Sequence, residues 1–164
     1  MPDGWIRQWG DPTLRLAARD VEEIDDVLRR QVVRMQRRLA AADGAGLAAT
    51  QVGLLRRVFV FRLAPECEIE ALCNPRVVAR SDERETFREG CLSFNTITVA
   101  VERPRAVRVE GYDIDGNART LEVEGFGASL LQHEIDHLDG ILTLDRATPA
   151  ERRRAIRALN VAAA

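Results

Sequence analysis

The only two histidines of the chain stand four residues apart in QHEIDHLDG, residues 132–140. No other stretch narrows the fold as far. On an α-helix, side chains at i and i+4 share one face a turn apart, so His133 and His137 can grip a single metal ion there. Glu134 lies about 100° further round the helix and cannot point along the same line. It can still reach a water on such an ion and act as general base. The apolar spacing before the histidines predicts a helix from about Phe126 to Leu138, stopped by Gly140. A hydrolytic metal site needs three protein ligands and an open position, so the fold must bring a third donor to this helix.

The residues leave the third donor open. There is no third histidine, and the downstream carboxylates are Asp139, Asp145 and Glu151. Three cysteines are the other choice. Cys67 and Cys73 lie in an apolar, strand-like run and read as small core residues. Cys91 stands in EGCLS, with Gly90 before it and Ser93 two residues on, just after a predicted strand. A glycine there permits close backbone approach and leaves the sulfur accessible.

The remaining pattern places these residues in an α+β chain. Asp20 with Glu23 forms a candidate capping box. Val21, Ile24, Leu28, Val32, Met35 and Leu39 then recur at steps of three and four, which predicts an amphipathic helix ending near Asp43–Gly44. The glycine-rich run GAGLAATQ, residues 44–51, follows. Strand-like segments come next: RVFVFRL, EIEALCNP, ETFREG, TITVAVERP, AVRVEGYD and ARTLEVEG, the last two joined by a turn over residues 113–117. PAERRRAIRAL, with Pro149 near its start, reads as a C-terminal helix with a solvated arginine face, residues 148–164 forming helix and tail. Strands dominate the middle and point to a mainly antiparallel sheet. The 164 residues fit one domain, with no repeat or linker.

Composition excludes several classes. At 46% hydrophobic and 30% charged the chain is that of a globular protein, and a formal charge of −2 supplies no basic field for DNA. All 24 basic residues are arginine. No segment approaches the ~20 apolar residues of a membrane span. The polar opening MPDGWIRQWGDP lacks the apolar core of a secretory signal, and three cysteines form no paired framework, so reduced thiols and a cytoplasmic location are expected.

Three stretches in series, GAGLAATQ, EGCLS and QHEIDHLDG, resemble the signature motifs of the bacterial peptide deformylases. WGDPTLRLAARDVEEID, CNP at 73–75 and GILTLDR at 140–146 extend the resemblance over nearly the whole chain. It implies a deformylase-like fold with antiparallel sheets around a central metal-binding helix. It implies Cys91, His133 and His137 as metal ligands and Glu134 as general base and later proton donor. Gln51 and the backbone amide of Leu92 would stabilise the oxyanion, and Gly46 and Gly90 would border the substrate. The implied metal is Fe2+, with Zn2+, Ni2+ or Co2+ able to replace it. The implied reaction removes formyl from the N-terminal methionine of nascent chains, acting as a monomer, with the ribosome near its exit tunnel as a partner. A deformylase-like paralogue with another N-formyl substrate and an HExxH metallopeptidase are the alternatives. Thr50 stands where the family usually has proline, and FNTIT after EGCLS replaces a proline-containing turn, so the peptide is expected to be held differently there.

Overall fold

The computed structural model describes residues 5–94 and 97–162. Asn95 and Thr96 of the FNTIT segment therefore lie outside the described residues. The first helix, α1 (Asp26–Ala41), begins later than the periodicity predicts. Its N-cap is Asp25, whose carboxylate accepts the Leu28 N–H at 2.7 Å, not the Asp20–Glu23 pair. The cause lies in a distant strand. Asn74 takes a left-handed φ of 49° and its side-chain amide bonds both the N–H and the carbonyl of Val21. That engages the Val21 backbone outside the helix, while Val21 and Ile24 still reach the core. Leu28, Val32, Met35 and Leu39 bury the inner face of α1, each worth about 1.5–3 kcal/mol of burial. The left-handed residue after the helix is Asp43, not Gly44.

Two antiparallel sheets follow. The first orders five strands as β1 (Gly46–Ala48), β2 (Val58–Phe61), β3 (Glu70–Arg80), β6 (Ala106–Tyr112) and β7 (Ala118–Glu124). The second pairs β4 (Arg84–Gly90) with β5 (Thr98–Pro104). The glycine-rich run thus supplies a short strand and a 3-10 turn over Ala49–Val52, which composition alone hides. Strand β2 is buried on both faces, hence its unbroken apolar sequence. Val58 and Val60 join the cluster under α1, whereas Phe59 and Phe61 join the cluster around the second helix. The β6–β7 hairpin turns at Asp113, whose carboxylate accepts the N–H groups of Asp115 and Asn117, with Gly116 at φ 87°.

The second helix, α2 (Phe126–Leu138), has the predicted bounds. From Ala128 to Leu138 every residue is buried, polar ones included. One side packs on β2, β6 and β7 through Leu131, Ile135 and Leu138. It ends where Gly140 turns left-handed at φ 71°, and a Cβ there would meet the Arg15 carbonyl oxygen at 2.5 Å. A third cluster joins β5 to α3 (Thr143–Arg146) and α4 (Pro149–Ala162) through Val99, Val101, Leu144, Ala155 and Leu159. Among the described residues, no helix is long and apolar enough to cross a membrane.

The helix start gives a direct test. Asp25→Ala should lower unfolding free energy by about 1 kcal/mol in urea titration, while Asp20→Ala, which removes an exposed pair to Arg76 and a 4.0 Å contact to Arg57 that Asp139 still pairs, should stay within about 0.5 kcal/mol. Equal losses would return the cap to Asp20.

Candidate metal centre and active site

A helix buried on all sides must place every polar side chain it carries, and among the described residues α2 leaves only Glu134 Oε2 and His137 Nδ1 without a partner. His133 and His137 bring their Nε2 atoms to 3.2 Å from each other. Cys91, immediately after β4, places Sγ 3.2 Å from His137 Nε2. The three donor atoms all lie within 4.8 Å of one another. A thiolate and two imidazole nitrogens meeting this closely need a cation, or at least a proton, between them. Burial pushes His133 down, but its contacts with Cys91 and Glu89 raise it well above the usual imidazole range. Burial and the neighbouring His133 hold His137 well below it. The set of one sulfur and two nitrogens fits iron or zinc and disfavours magnesium or calcium.

The rest of the helix is held by a buried ion-pair network. Glu89, two residues before Cys91, accepts Arg103 Nε at 2.5 Å and Nη2 at 3.0 Å, Ser129 Oγ at 2.9 Å and His133 Nδ1 at 3.0 Å. Burial pushes the Glu89 carboxyl up, but the hydrogen bonds from His133 and Arg103 hold it down at about 2. With Nδ1 donating to that carboxylate, His133 keeps its Nε2 lone pair for a metal. Arg103 also donates to Asp136 at 2.8 Å, and Arg146 closes the network on the same carboxylate.

Glu134 lines the same groove as Cys91 and His133. Burial pushes it up to about 7, the His133 charge working against the rise, and its Oε2 has no hydrogen-bond partner among the described residues. Gly46 of β1 makes room for it: a Cβ at that position would meet Glu134 Oε1 at 2.2 Å. At Gly90 a Cβ would meet nothing within 4 Å, and the residue borders open space. Both glycines line a groove of about 420 Å³ with Phe87, Phe126 and Leu130 on its walls and Glu134 and His133 at its base.

Gln51 combines a structural role with a place in the site. Its Oε1 accepts the Ala48 N–H at 2.9 Å and so caps the 3-10 turn, which fixes the direction of its amide nitrogen. That nitrogen donates to Ser93 Oγ at 3.0 Å and lies 3.6 Å from Cys91 Sγ. The Leu92 N–H donates to no other group among the described residues. Thr50, the departure from the family pattern, donates to the His137 carbonyl at 3.0 Å and ties the 3-10 turn to α2.

The other candidate ligands are engaged elsewhere. Asp139 accepts Arg57, Asp145 accepts Arg15 and the Leu142 N–H, and Glu151 accepts Arg154 and the Ala100 N–H. Cys73 is buried, with burial raising its thiol to about 11. Cys67 is exposed, contrary to its reading as a core residue, because it sits in the turn between β2 and β3 and not within either strand. Glu89, Arg103, Asp136 and Arg146 were not singled out by sequence. Their signal is faint: an arginine that falls on the buried alternate positions of its strand, with Val99 and Val101, and an aspartate within a helix buried on all sides.

The family model described as polypeptide deformylase matches residues 4–153. A peptide deformylase of Thermotoga neapolitana is 42% identical over 147 residues, covering 90% of this chain and 88% of the relative. One of Brucella suis is 43% identical over 150 residues, covering 90% and 86%. Among solved structures, a peptide deformylase from Legionella pneumophila superposes with TM-score 0.89 at 34% identity, covering 95% of this chain and 92% of that one. A peptide deformylase from Synechococcus elongatus in complex with actinonin gives TM-score 0.88 at 36% identity, covering 94% and 85%.

The geometry separates the three cysteines. Cys91→Ala should lose bound metal after purification, measured by elemental analysis, while Cys67→Ala and Cys73→Ala keep it. Equal retention in all three variants would remove Cys91 from the centre.

Proposed function

Since the chain belongs to the polypeptide deformylase family and is a metal-dependent hydrolase of N-formyl peptides, we propose that Cys91, His133 and His137 hold its metal and that Glu134 moves the proton. The observation that carries this reading is the convergence of those three donors beside a buried, unpartnered carboxylate oxygen at the base of an open groove. When bound, the ion acidifies a water and polarises the formyl carbonyl.

The chain's own groups supply the remaining steps. Glu134 takes a proton from the attacking water, whose oxygen bonds to the formyl carbon. Its raised affinity for protons, set by burial, suits a group that must accept a proton and then release it. Charge collects on the former carbonyl oxygen, where Gln51 Nε2 and the Leu92 N–H act as donors, each worth about 3 kcal/mol of barrier. The long contact from Gln51 to Cys91 Sγ is the one its amide can give up for this. Glu134 then passes its proton to the leaving nitrogen, the C–N bond breaks, and formate and a free amine result.

The groove supports a peptide substrate. Strand β1 ends the five-stranded sheet and β4 belongs to a pair, so each offers an unpaired edge to the groove. An extended peptide can add main-chain hydrogen bonds to such edges, with its first side chain against Leu130 and Phe126. We place the work on newly made chains in the cytoplasm, because a formyl group marks the start of synthesis. Arg153 and Arg157, exposed on α4 and without an ion pair among the described residues, support docking to ribosomal phosphates. The proposed resident metal is Fe2+: a thiolate with two imidazoles suits it.

Glu134→Gln should keep its metal and lose at least about 100-fold in kcat for formate release from formyl-Met-Ala-Ser. Activity that survives, or metal that leaves with activity, would overturn its role. Protein loaded with iron should be more active but decay in air, whereas the zinc form should be slower and stable, zinc having no redox chemistry. Equal lifetimes in air for the two loaded forms would count against iron.

A further inference from the structure

The segment that opens the described chain does more than cover the core. Residues 6–9 run across both loops that border the metal ligands. The Arg7 N–H donates to the Gln51 carbonyl at 2.7 Å, and the Trp9 N–H donates to the Ser93 carbonyl at 2.8 Å. Ile6 is anchored in the cluster under α1, and Trp9 packs edge-on against Phe94 with ring centroids 5.7 Å apart. Between these anchors, Gln8 Nε2 donates at 3.1 Å to the carbonyl of Ile6, two residues back, and at 3.1 Å to that of Leu92, 84 residues away. The first bond fixes the amide; the second points it at the loop after Cys91.

The carbonyl that Gln8 holds belongs to the Leu92–Ser93 peptide. The other end of that peptide, the Ser93 N–H, donates to Cys91 Sγ at 3.4 Å. The bonds thus run in series from the Gln8 amide, through one peptide unit, to the sulfur. A donor on the carbonyl of an amide makes its N–H a better donor, and hydrogen bonds to a ligating sulfur change what the ligand gives its metal. The turn itself is closed by the Phe94 N–H on the Cys91 carbonyl at 3.0 Å, so the peptide has little freedom to rotate away.

We propose that Gln8 is a positioning residue for the thiolate ligand, holding and polarising the Leu92–Ser93 peptide so that the Ser93 N–H bonds to Cys91 Sγ. It rests on the reading of Cys91 as a metal ligand. No bond to substrate is involved. Because the same loop carries the Leu92 N–H, a peptide that shifts would also misplace the oxyanion donor, and kcat would fall more than KM changes.

Gln8 is half-buried, and Gln8→Met keeps its length while removing the donor. The test loads the full chain with cobalt(II) and follows the thiolate-to-cobalt charge-transfer absorption. A sulfur relieved of a hydrogen bond gives up electrons more easily, so the band should move to lower energy with one cobalt retained. With the same variant, kcat should drop about tenfold at nearly constant KM. Where Gln8→Met does not fold, Gln8→Glu, equal in size and also without the donor, is read by the same criterion. An unmoved band overturns the proposal, as does loss of cobalt in step with a lowered melting temperature, which would make the residue merely structural. If the unsubstituted protein binds cobalt with no thiolate band at all, the ligand reading of Cys91 falls and takes the proposal with it.

Discussion

The bidentate pair between Arg103 and Glu89 is what lets a polar helix lie at the centre of this molecule. Without it, α2 would bury the ring of His133 with no charged partner at Nδ1 and leave Asp136 with Arg146 alone. Glu89 and Arg103 come from the paired strands β4 and β5, Asp136 from α2 and Arg146 from α3. One network therefore holds the small sheet, the central helix and the segment after it in a single arrangement. Removing one partner from such a pair costs about 3–5 kcal/mol, because the other charge stays buried. Replacing all partners by apolar groups could leave stability intact, but it would free the His133 ring. The network's value is thus orientation: it fixes which nitrogen of His133 faces Cys91.

Structural roles and proposed catalytic ones need not compete in this site. Gln51 caps a turn with its oxygen, and that cap is what aims its nitrogen toward Cys91. Gly46 could be read as a residue that lets substrate approach. Its immediate effect is nearer, since its missing side chain leaves the volume that the Glu134 carboxylate fills. Thr50 replaces a ring that would only stiffen the turn with a hydroxyl that bonds α2.

Much of this was legible in the sequence where local rules dominate. The bounds of α2, the β6–β7 turn and the six strand segments follow from periodicity and turn chemistry. The start of α1 does not, because a side chain on β3 overrides the local capping signal at Val21. Cys67 looked like Cys73 because both lie in apolar surroundings, and only the position of the turn separates them. The residue types alone left the third ligand undecided among cysteine and carboxylates. The structure brings Cys91 to the histidine pair and places each of those carboxylates on an arginine, which supports the cysteine. The strap over residues 6–9 left no trace in the sequence, since its main-chain donors carry no residue signature.

The two open strand edges beside the groove have a consequence for breadth. Main-chain pairing reads the direction and spacing of a peptide but none of its side chains. A catalyst that grips its substrate by such edges is indifferent to almost everything beyond the first residue. It can therefore serve thousands of unrelated protein beginnings with one binding surface. Discrimination is left to the few atoms at the end of the groove, where a free amine would carry a positive charge toward a metal and a formamide does not.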